Sequence, residues 1–584
     1  MFPPSNQRVA IDRCTYCAWW REPFFAGVLL SATVCLPSLA VAAGEPSSGG
    51  NQTNAAIPAP PERHFYIKEY AVSGGGHLLP KLEIEAAVYP YLGPYRTRED
   101  VEQARGALEQ AYRDKGFQTV TVQIPPQQVK GGIIELRVMT GAVNRLRVHG
   151  SRYFSIDQIK REAPSLGEGQ SPNFSAVTQD LLALNGLPDR QVTPTVRPGE
   201  VPGTVDVDLN VKDTLPVHGS LEINNRYSVD TTPLRLNASV SYDNLWQLEH
   251  SISASFQIAP ENPRDVKVFS GYYLARIPGV EGISFMLQGT DQDSNVNTLG
   301  GIGVAGKGAI VGARVIFALP QQKGFYHSIS LGLDYKHFTQ LETAQDLAGD
   351  DQPGFSNVLR NTPVTYFPLS AAYSGTWIGQ GYETDLNGSF NLAIRGTGSD
   401  EQDFYLDRTG ADGGFIYFRG DLSHTRDLPE GFQIFAKAQG QAADGPLVDS
   451  EQFSGGGLGT VRGFLESEVL GDNALLGSIE LRSPSLGTFL GKAVDEWRFY
   501  IFSDGGFLTQ DDPQIETPYQ YNLLSTGAGT RFKLVNHVNG SLDFGVPLIA
   551  DSLESSVPAG AFVANPIRER PYEGQLTFRL WADF

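Results

Sequence analysis

The sequence predicts a mostly β protein, with a sixteen-stranded antiparallel transmembrane β-barrel preceded by two small α+β units. Three observations predict it. Residues 216–584 carry short segments of alternating apolar and polar residues, separated by Gly, Asn, Asp and Pro and almost free of helical periodicity. The chain ends on such a segment, residues 574–584 (GQLTFRLWADF). In that segment Leu576, Phe578, Leu580, Ala582 and Phe584 share one face of a strand, and Gln575, Thr577, Arg579, Trp581 and Asp583 share the other. Residues 64–213 run twice through the order strand–helix–helix–strand–strand, a repeat signal.

Within the strand-rich region, Leu236, Ala238, Val240 and Tyr242 alternate with Asn237, Ser239, Ser241 and Asp243. Ile252, Ala254, Phe256 and Ile258 behave alike, as do Ile329, Leu331, Leu333 and Tyr335. Sixteen candidate strands begin near residues 217, 234, 248, 266, 283, 306, 326, 363, 384, 413, 432, 475, 496, 525, 539 and 574. Their lengths are near the roughly 9–11 residues that a tilted strand needs to cross a bilayer. An even count lets the two ends of the sheet meet, leaving no unpaired edge in lipid. A soluble β-sandwich needs its second face covered, and the polar faces here are too continuous for that.

The first repeat, 64–140, opens with a strand at 64–72 that ends in Gly74-Gly75-Gly76. A helix is expected over 80–91 and another over 97–115, where Val101, Ala104, Leu108, Ala111 and Tyr112 recur at spacings of three and four. Thr97-Arg98-Glu99-Asp100 is polar and acidic, as a helix start should be, and Lys115-Gly116 stops it. Strands follow at 118–124 and 132–139. The second repeat, 141–213, has strands at 142–148, 191–197 and 204–212 and helices at 155–162 and 174–184, the last ended by Asn185-Gly186.

Upstream, Arg8, Arg13 and Arg21 precede an apolar run over 24–36, and small residues follow at Ala40, Ala42 and Ala43. This order is that of a secretory signal peptide over 1–43, cleaved after Ala42 or Ala43. Residues 44–63 are rich in Gly, Ser and Pro and read as a flexible linker. The three cysteines, Cys14, Cys17 and Cys35, all lie in the expected leader, which leaves a mature chain without thiols to misbridge in an oxidising compartment. A net charge of −20 argues against a nucleic-acid partner. A mean hydropathy of −0.21, and no later apolar run near the roughly 20 residues of a membrane helix, argue against a helical membrane protein.

The longest strand-poor gap, about 442–474, contains the run Phe453-Ser-Gly-Gly-Gly-Leu-Gly-Thr-Val-Arg-Gly-Phe464. The thirteenth strand contains Phe502-Ser503-Asp504-Gly505-Gly506. The VRGF of Val461, Arg462, Gly463 and Phe464, the FSDGG motif and the terminal Phe584 together resemble the outer-membrane transporters of two-partner secretion, the haemolysin activation/secretion type. The two repeats resemble that family's polypeptide-transport-associated (POTRA) domains, so the resemblance covers nearly all of the mature chain. It implies an outer-membrane location with the POTRA domains in the periplasm. It also implies a sixth extracellular loop folded back into the barrel, with Arg462 pairing Asp504 on the inner wall, and Phe584 as an assembly signal. Strand periodicity independently puts Asp504 on the face opposite Trp497, Phe499 and Ile501, because a charge facing lipid at mid-depth costs roughly 2–4 kcal/mol.

The implied partners are a secreted exoprotein of the adhesin or cytolysin class, outer-membrane lipid, and the barrel-assembly machinery during biogenesis. Candidate capture surfaces are the 118–124 strand edge and the 97–115 helix, where an unfolded chain adds to an open sheet edge. The family's barrel is often plugged by an N-terminal helix, which residues 44–63 do not resemble; a leakier pore or a different plug is expected. The related rivals are a barrel-assembly insertase, which usually carries more than two POTRA units, a passive porin, which needs neither repeats nor the VRGF loop, and a structural surface protein. Gly301-Ile-Gly-Val-Ala-Gly306-Lys307 imitates a phosphate loop, but Gly308 stands where Ser or Thr is needed and no strand–helix alternation surrounds it. The nine histidines lack ligand spacing, and neither G-x-S-x-G nor H-E-x-x-H occurs, so no cofactor, metal site or enzyme activity is expected.

Overall fold

The computed structural model describes residues 64–75, 78–129, 131–229, 231–277, 280, 282–294, 306–320, 322–342, 360–513, 518–553 and 571–584. The expected leader, the linker and most of the phosphate-loop imitation lie outside these residues. The chain divides after Leu215 into two compact units.

In the first repeat, β1 (Phe65–Ile67) and β2 (Glu69–Ser73) precede α1 (Lys81–Val88), β3 (Gly93–Arg96), α2 (Arg98–Asp114), β4 (Thr121–Gln123) and β5 (Ile133–Met139). Helix α2 starts where the sequence places it. Thr97 accepts from the Asp100 N–H at 3.3 Å while Asp100 accepts from the Thr97 N–H at 2.7 Å, a reciprocal cap of two orphan donors. Its apolar stripe buries Val101, Ala104, Leu108 and Tyr112 against Ile134, Leu136 and Val138 of β5. The expected 80–91 helix is shorter: Pro90 tightens its end into a 3₁₀ turn, Tyr89–Tyr91. The β1–β3 ribbon was not expected, because Gly93 and Pro94 are poor strand formers.

The second repeat contains β6 (Ala142–His149), α3 (Ile156–Arg161), α4 (Phe174–Leu184), β7 (Arg190–Pro198) and β8 (Thr204–Asp213). Both repeats share one topology: the first strand lies parallel to the last, which pairs antiparallel with the middle one (β2–β5–β4 and β6–β8–β7). They also share a backbone constraint. Gly74 (φ 77°) and Gly150 (φ 88°) each turn the chain just past the first strand, where a Cβ would lie 2.5 Å from the Val138 carbonyl oxygen or 2.4 Å from that of Val211. Only glycine fits either site. Asn173 joins the repeats: it caps α4 through the Ser175 N–H (3.0 Å) and donates to the Lys115 carbonyl at the end of α2 (2.8 Å).

The second unit is a closed antiparallel barrel. Its strands and loop elements run β9 (Val217–Asn224), β10 (Arg235–Leu245), β11 (His250–Ile258), β12 (Val266–Arg276), β13 (Ile283–Ser294), β14 (Gly306–Ala318), β15 (Phe325–Glu342), β16 (Arg360–Tyr366), β17 (Leu369–Gly379), β18 (Tyr382–Ala393), α5 (Glu401–Asp407), β19 (Phe415–Asp427), β20 (Gln433–Ala443), β21 (Phe453–Gly455), β22 (Val469–Gly471), β23 (Asn473–Arg482), α6 (Gly487–Leu490), β24 (Val494–Thr509), β25 (Gln520–Leu534), β26 (Val538–Leu553) and β27 (Gln575–Asp583). Strands β16 and β17 are one crossing interrupted at Pro368, which has no N–H to give the ladder; both halves pair with β15. Counted so, the barrel has sixteen strands, and the short hairpin β21–β22 lies outside its wall.

The wall is apolar outside and polar within. Leu236, Val240, Ile252, Leu331 and Leu333 are exposed, while their neighbours Ser251, Ser330 and Asp334 are buried. The terminal strand β27 closes the ring on β9, from Arg579↔Asn224 to Asp583↔Ser220. Phe584 and Gly219 then exchange backbone hydrogen bonds of 3.0 and 2.9 Å. Lys307, the last residue of the phosphate-loop imitation, is an exposed strand residue paired with Asp293 at 3.0 Å.

Asp213 ends β8 and gathers the turn after β6: one carboxylate oxygen accepts from the N–H groups of Tyr153 (2.7 Å), Arg152 (2.8 Å) and Phe154 (3.3 Å) and the Ser151 hydroxyl (3.2 Å). Burial pushes this carboxyl up, but the N–H groups of Tyr153, Arg152 and Phe154 and then the hydroxyl outweigh it and hold it below the usual carboxylate range. The unfolded chain binds that proton more readily, so the stabilisation is present above about pH 4 and is lost as pH falls through the lowered folded value. Asp213→Ala is expected to destabilise the 64–215 unit by roughly 1–2 kcal/mol at pH 7 in urea unfolding, the gap closing in acid. A gap independent of pH would assign the effect to packing instead.

Candidate functional site

The barrel has tight turns at one end and long connections at the other. The connection between β20 and β23, residues 444–472, is sequestered: Val461 and Phe464 are at most 1% exposed and Arg462 is 5% exposed. Glycine permits the path. Gly456, Gly457 and Gly463 all have positive φ, whereas Gly455, grouped with them by sequence, is an ordinary residue of β21.

Four sequence-predicted residues form the tip of this connection. Val461 and Phe464 pack on an apolar pad of Leu476, Leu508, Tyr521 and Leu523 from the inner faces of β23, β24 and β25. Gly463 meets Gly545 of β26 so closely that a Cβ on Gly545 would lie 2.6 Å from the Gly463 nitrogen. Arg462 reaches Asp504 of β24. Its Nε donates at 2.7 Å and its Nη2 at 2.8 Å to the two carboxylate oxygens, and its backbone N–H adds a third bond of 3.0 Å. Its guanidinium carbon lies 3.6 Å from the centre of the Phe502 ring.

Sequence reasoning missed the rest of this cluster. Arg462 Nη1 donates to Glu480 at 2.6 Å and approaches Asp543 at 3.5 Å, and Nη2 donates to Ser478 at 3.0 Å. Glu480 also receives Arg482 (2.7 Å) and Arg531 (3.0 Å). Three carboxylates and three guanidiniums therefore balance beneath the loop tip. Glu466, further along, takes both arms of Arg226 at 2.7 and 3.1 Å. One signal was readable: β23 and β24 carry Ala474, Leu476 and Leu508 on the polar face, apolar residues that need a cover. The terminal Phe584 lies far in sequence from this cluster, at the closing seam.

The expected capture surface of the first repeat is partly occupied by its own side chains. At edge strand β4, the Val122 N–H donates to Glu109 of α2 at 3.2 Å, and Arg105 of α2 donates to the Val122 carbonyl at 3.4 Å. Arg105 and Glu109 are themselves paired at 2.9 Å.

Residues 65–141 match the family model of the ShlB-type POTRA domain, and residues 365–532 match that of the haemolysin secretion/activation proteins ShlB/FhaC/HecB. Both matches, and their order along the chain, are those of an outer-membrane transporter of the two-partner-secretion type. The transporter is 23% identical over 500 residues to the outer membrane transporter CdiB of Escherichia coli strain 536, covering 83% of this chain and 79% of that one. A CdiB of Dickeya dadantii is 25% identical over 169 residues, 29% of this chain and 30% of that protein. The heme/hemopexin transporter protein HuxB of Haemophilus influenzae strain 86-028NP is 20% identical over 76% of each chain. Among solved structures, CdiB from Escherichia coli superposes with a TM-score of 0.60 at 21% identity, over 92% of the transporter and 93% of that chain. BamA from Haemophilus ducreyi lacking POTRA domains 1–3 reaches 0.53 at 15% identity, over 89% of this chain and all of that one, a likeness of fold alone.

The arrangement joins Arg462 to Asp504, Glu480 and Ser478. It is a multidentate clamp between a loop tip and a wall. Gly463→Ala would bring a Cβ 3.0 Å from the Gly545 carbonyl carbon at a backbone angle that L side chains rarely adopt. The tip is expected to back off the wall, so trypsin cleaves after Arg462 in detergent-solubilised protein severalfold faster than in wild type. Equal resistance would show that the glycine contact is not needed to seat the tip.

Proposed function

We propose that this transporter captures a partner exoprotein of the adhesin or cytolysin class through its POTRA repeats and passes it out through the barrel, with release of the Arg462 clamp as the opening step. The observation that carries the reading is the clamp itself. Arg462 is buried in a membrane barrel with five hydrogen bonds to Asp504, Glu480 and Ser478. A loop that merely covered the mouth would need no such site. The named relatives fit: CdiB is called an outer membrane transporter and HuxB a heme/hemopexin transporter.

Capture uses the β4 edge and the α2 face. An incoming unfolded strand displaces Glu109 and Arg105 from Val122 and adds backbone hydrogen bonds in their place. The covering groups form a partly exposed ion pair of modest net worth, so displacement is cheap. Folding of the passenger outside drives transit, since the periplasm holds no nucleotide. Phe584 serves as the signal read by the barrel-assembly machinery.

Breaking one side of a buried ion pair costs roughly 3–5 kcal/mol, less where water reaches it. Arg462→Ala leaves Asp504 without its guanidinium, so it is expected to abolish export while the barrel still assembles. The check is the exoprotein in culture medium beside the heat-modifiable mobility of the barrel; wild-type secretion by this variant would remove the clamp from the mechanism. Comparing medium and outer-membrane proteomes with and without the gene identifies the passenger. One large protein is expected to vanish from the medium, whereas a joint fall of many barrels would favour an insertase.

A further inference from the structure

The same sequestered loop has a second attachment at its root. Residues 394–414 connect β18 and β19 and include α5, followed by Arg408. This side chain is 8% exposed and ties its own connection to two others. Its Nη1 and Nη2 grip both carboxylate oxygens of Asp472, at 2.5 and 2.6 Å, where residues 444–472 rejoin the wall. Nη1 also donates to the Leu447 carbonyl at the other end of that loop, and Nη2 to the Asp511 carbonyl in the connection after β24 at 3.1 Å.

Asp472 is 0% exposed and equally committed. It accepts from the Leu447 N–H (2.9 Å), the Asp511 N–H (2.8 Å) and the Gln452 side chain (3.2 Å). Beside it, Leu447 and Val448 pack with Phe404 of α5 and with Phe415 and Tyr417 of β19. Glu451 accepts from Lys336 and from the hydroxyls of Tyr366 (2.6 Å) and Tyr417 (2.7 Å). Both ends of the loop are thus drawn together by one guanidinium–carboxylate pair, and its guanidinium comes from a different loop.

We propose that Arg408 and Asp472 are positioning residues: a three-loop staple that holds the root of the loop in place and so returns its Arg462 tip to Asp504. The inference rests on the export role proposed for that tip. A tether fixed at both ends limits where the tip can go when it leaves the wall, so re-seating is local. Without the staple the barrel remains closed, because its sixteen-strand ladder does not use either side chain, but the tip loses its register on the wall.

A cysteine pair reads the tip directly. A Cβ at Gly506 would lie 3.2 Å from the Val461 Cγ2, so Val461→Cys with Gly506→Cys should cross-link when the tip is seated. The natural cysteines at 14, 17 and 35 lie in the expected leader. In full-length protein in outer membranes, Arg408→Ala, Arg408→Lys and Asp472→Asn are each expected to lower the cross-link yield severalfold while heat-modifiable mobility stays that of an assembled barrel. Lys belongs in this set because it keeps the charge but not the two-armed grip. In single variants without the reporter, secretion falls in parallel. Loss of the cross-link with secretion intact supports the staple and overturns the tip's role in export. An undiminished cross-link in assembled variants overturns the staple, whatever secretion does. Failure of all three to assemble makes the pair a folding element and overturns the positioning role.

Discussion

The structure of this transporter turns on one guanidinium held in a closed barrel. A sixteen-strand ring has an interior wide enough to leave water-filled space, and its inner residues are accordingly polar. Arg462 fills part of that space with charge that the wall answers from β23, β24 and β26. Asp504 takes two arms and a backbone N–H, Glu480 a third arm, and Asp543 stands behind them. Other features follow from seating that group. The positive-φ glycines give the loop its path, the glycine on β26 gives it room, and the apolar pad on β23–β25 covers the flanking Val461 and Phe464.

This arrangement suits the opening step proposed for the loop tip. Desolvating a charge is expensive, and a partner removed from such a pair leaves its counterpart exposed to the full cost. Here three acids and three arginines share the burden. When Arg462 leaves, Glu480 keeps Arg482 and Arg531, and Asp543 keeps the Tyr500 hydroxyl at 2.6 Å. The wall is left polar and partly paired rather than stripped, so the clamp can release without the barrel losing its shape.

Much of this was legible in the residues. Alternation located every barrel crossing, including the one broken at Pro368, because a wall with lipid on one side and water on the other permits only one phase. Helix α4 was placed correctly at 174–184, with Asn185-Gly186 as its stop, and Thr97 announced α2. Arg462 and Asp504 were reachable through motif and strand phase together. Glu480, Asp543 and the Arg408–Asp472 pair were not. Phase says that a residue points inward, but which inward residues meet depends on strand tilt, stagger and loop path, none of which is local. The β1–β3 ribbon escaped for the opposite reason, its strands being too short and too rich in Gly and Pro to show a pattern.

The cover on β4 carries a consequence for solubility. An uncapped strand edge is a template for its own kind, and two POTRA domains could pair edge to edge through it. By placing Glu109 and Arg105 over Val122, the first repeat blunts that edge with a helix-borne ion pair instead of a proline or a bulge. Such a cover is strong enough to discourage chance association and weak enough to yield. Being electrostatic and partly exposed, it thins as ionic strength rises. Ionic strength around the domain therefore bears on how well the edge is covered.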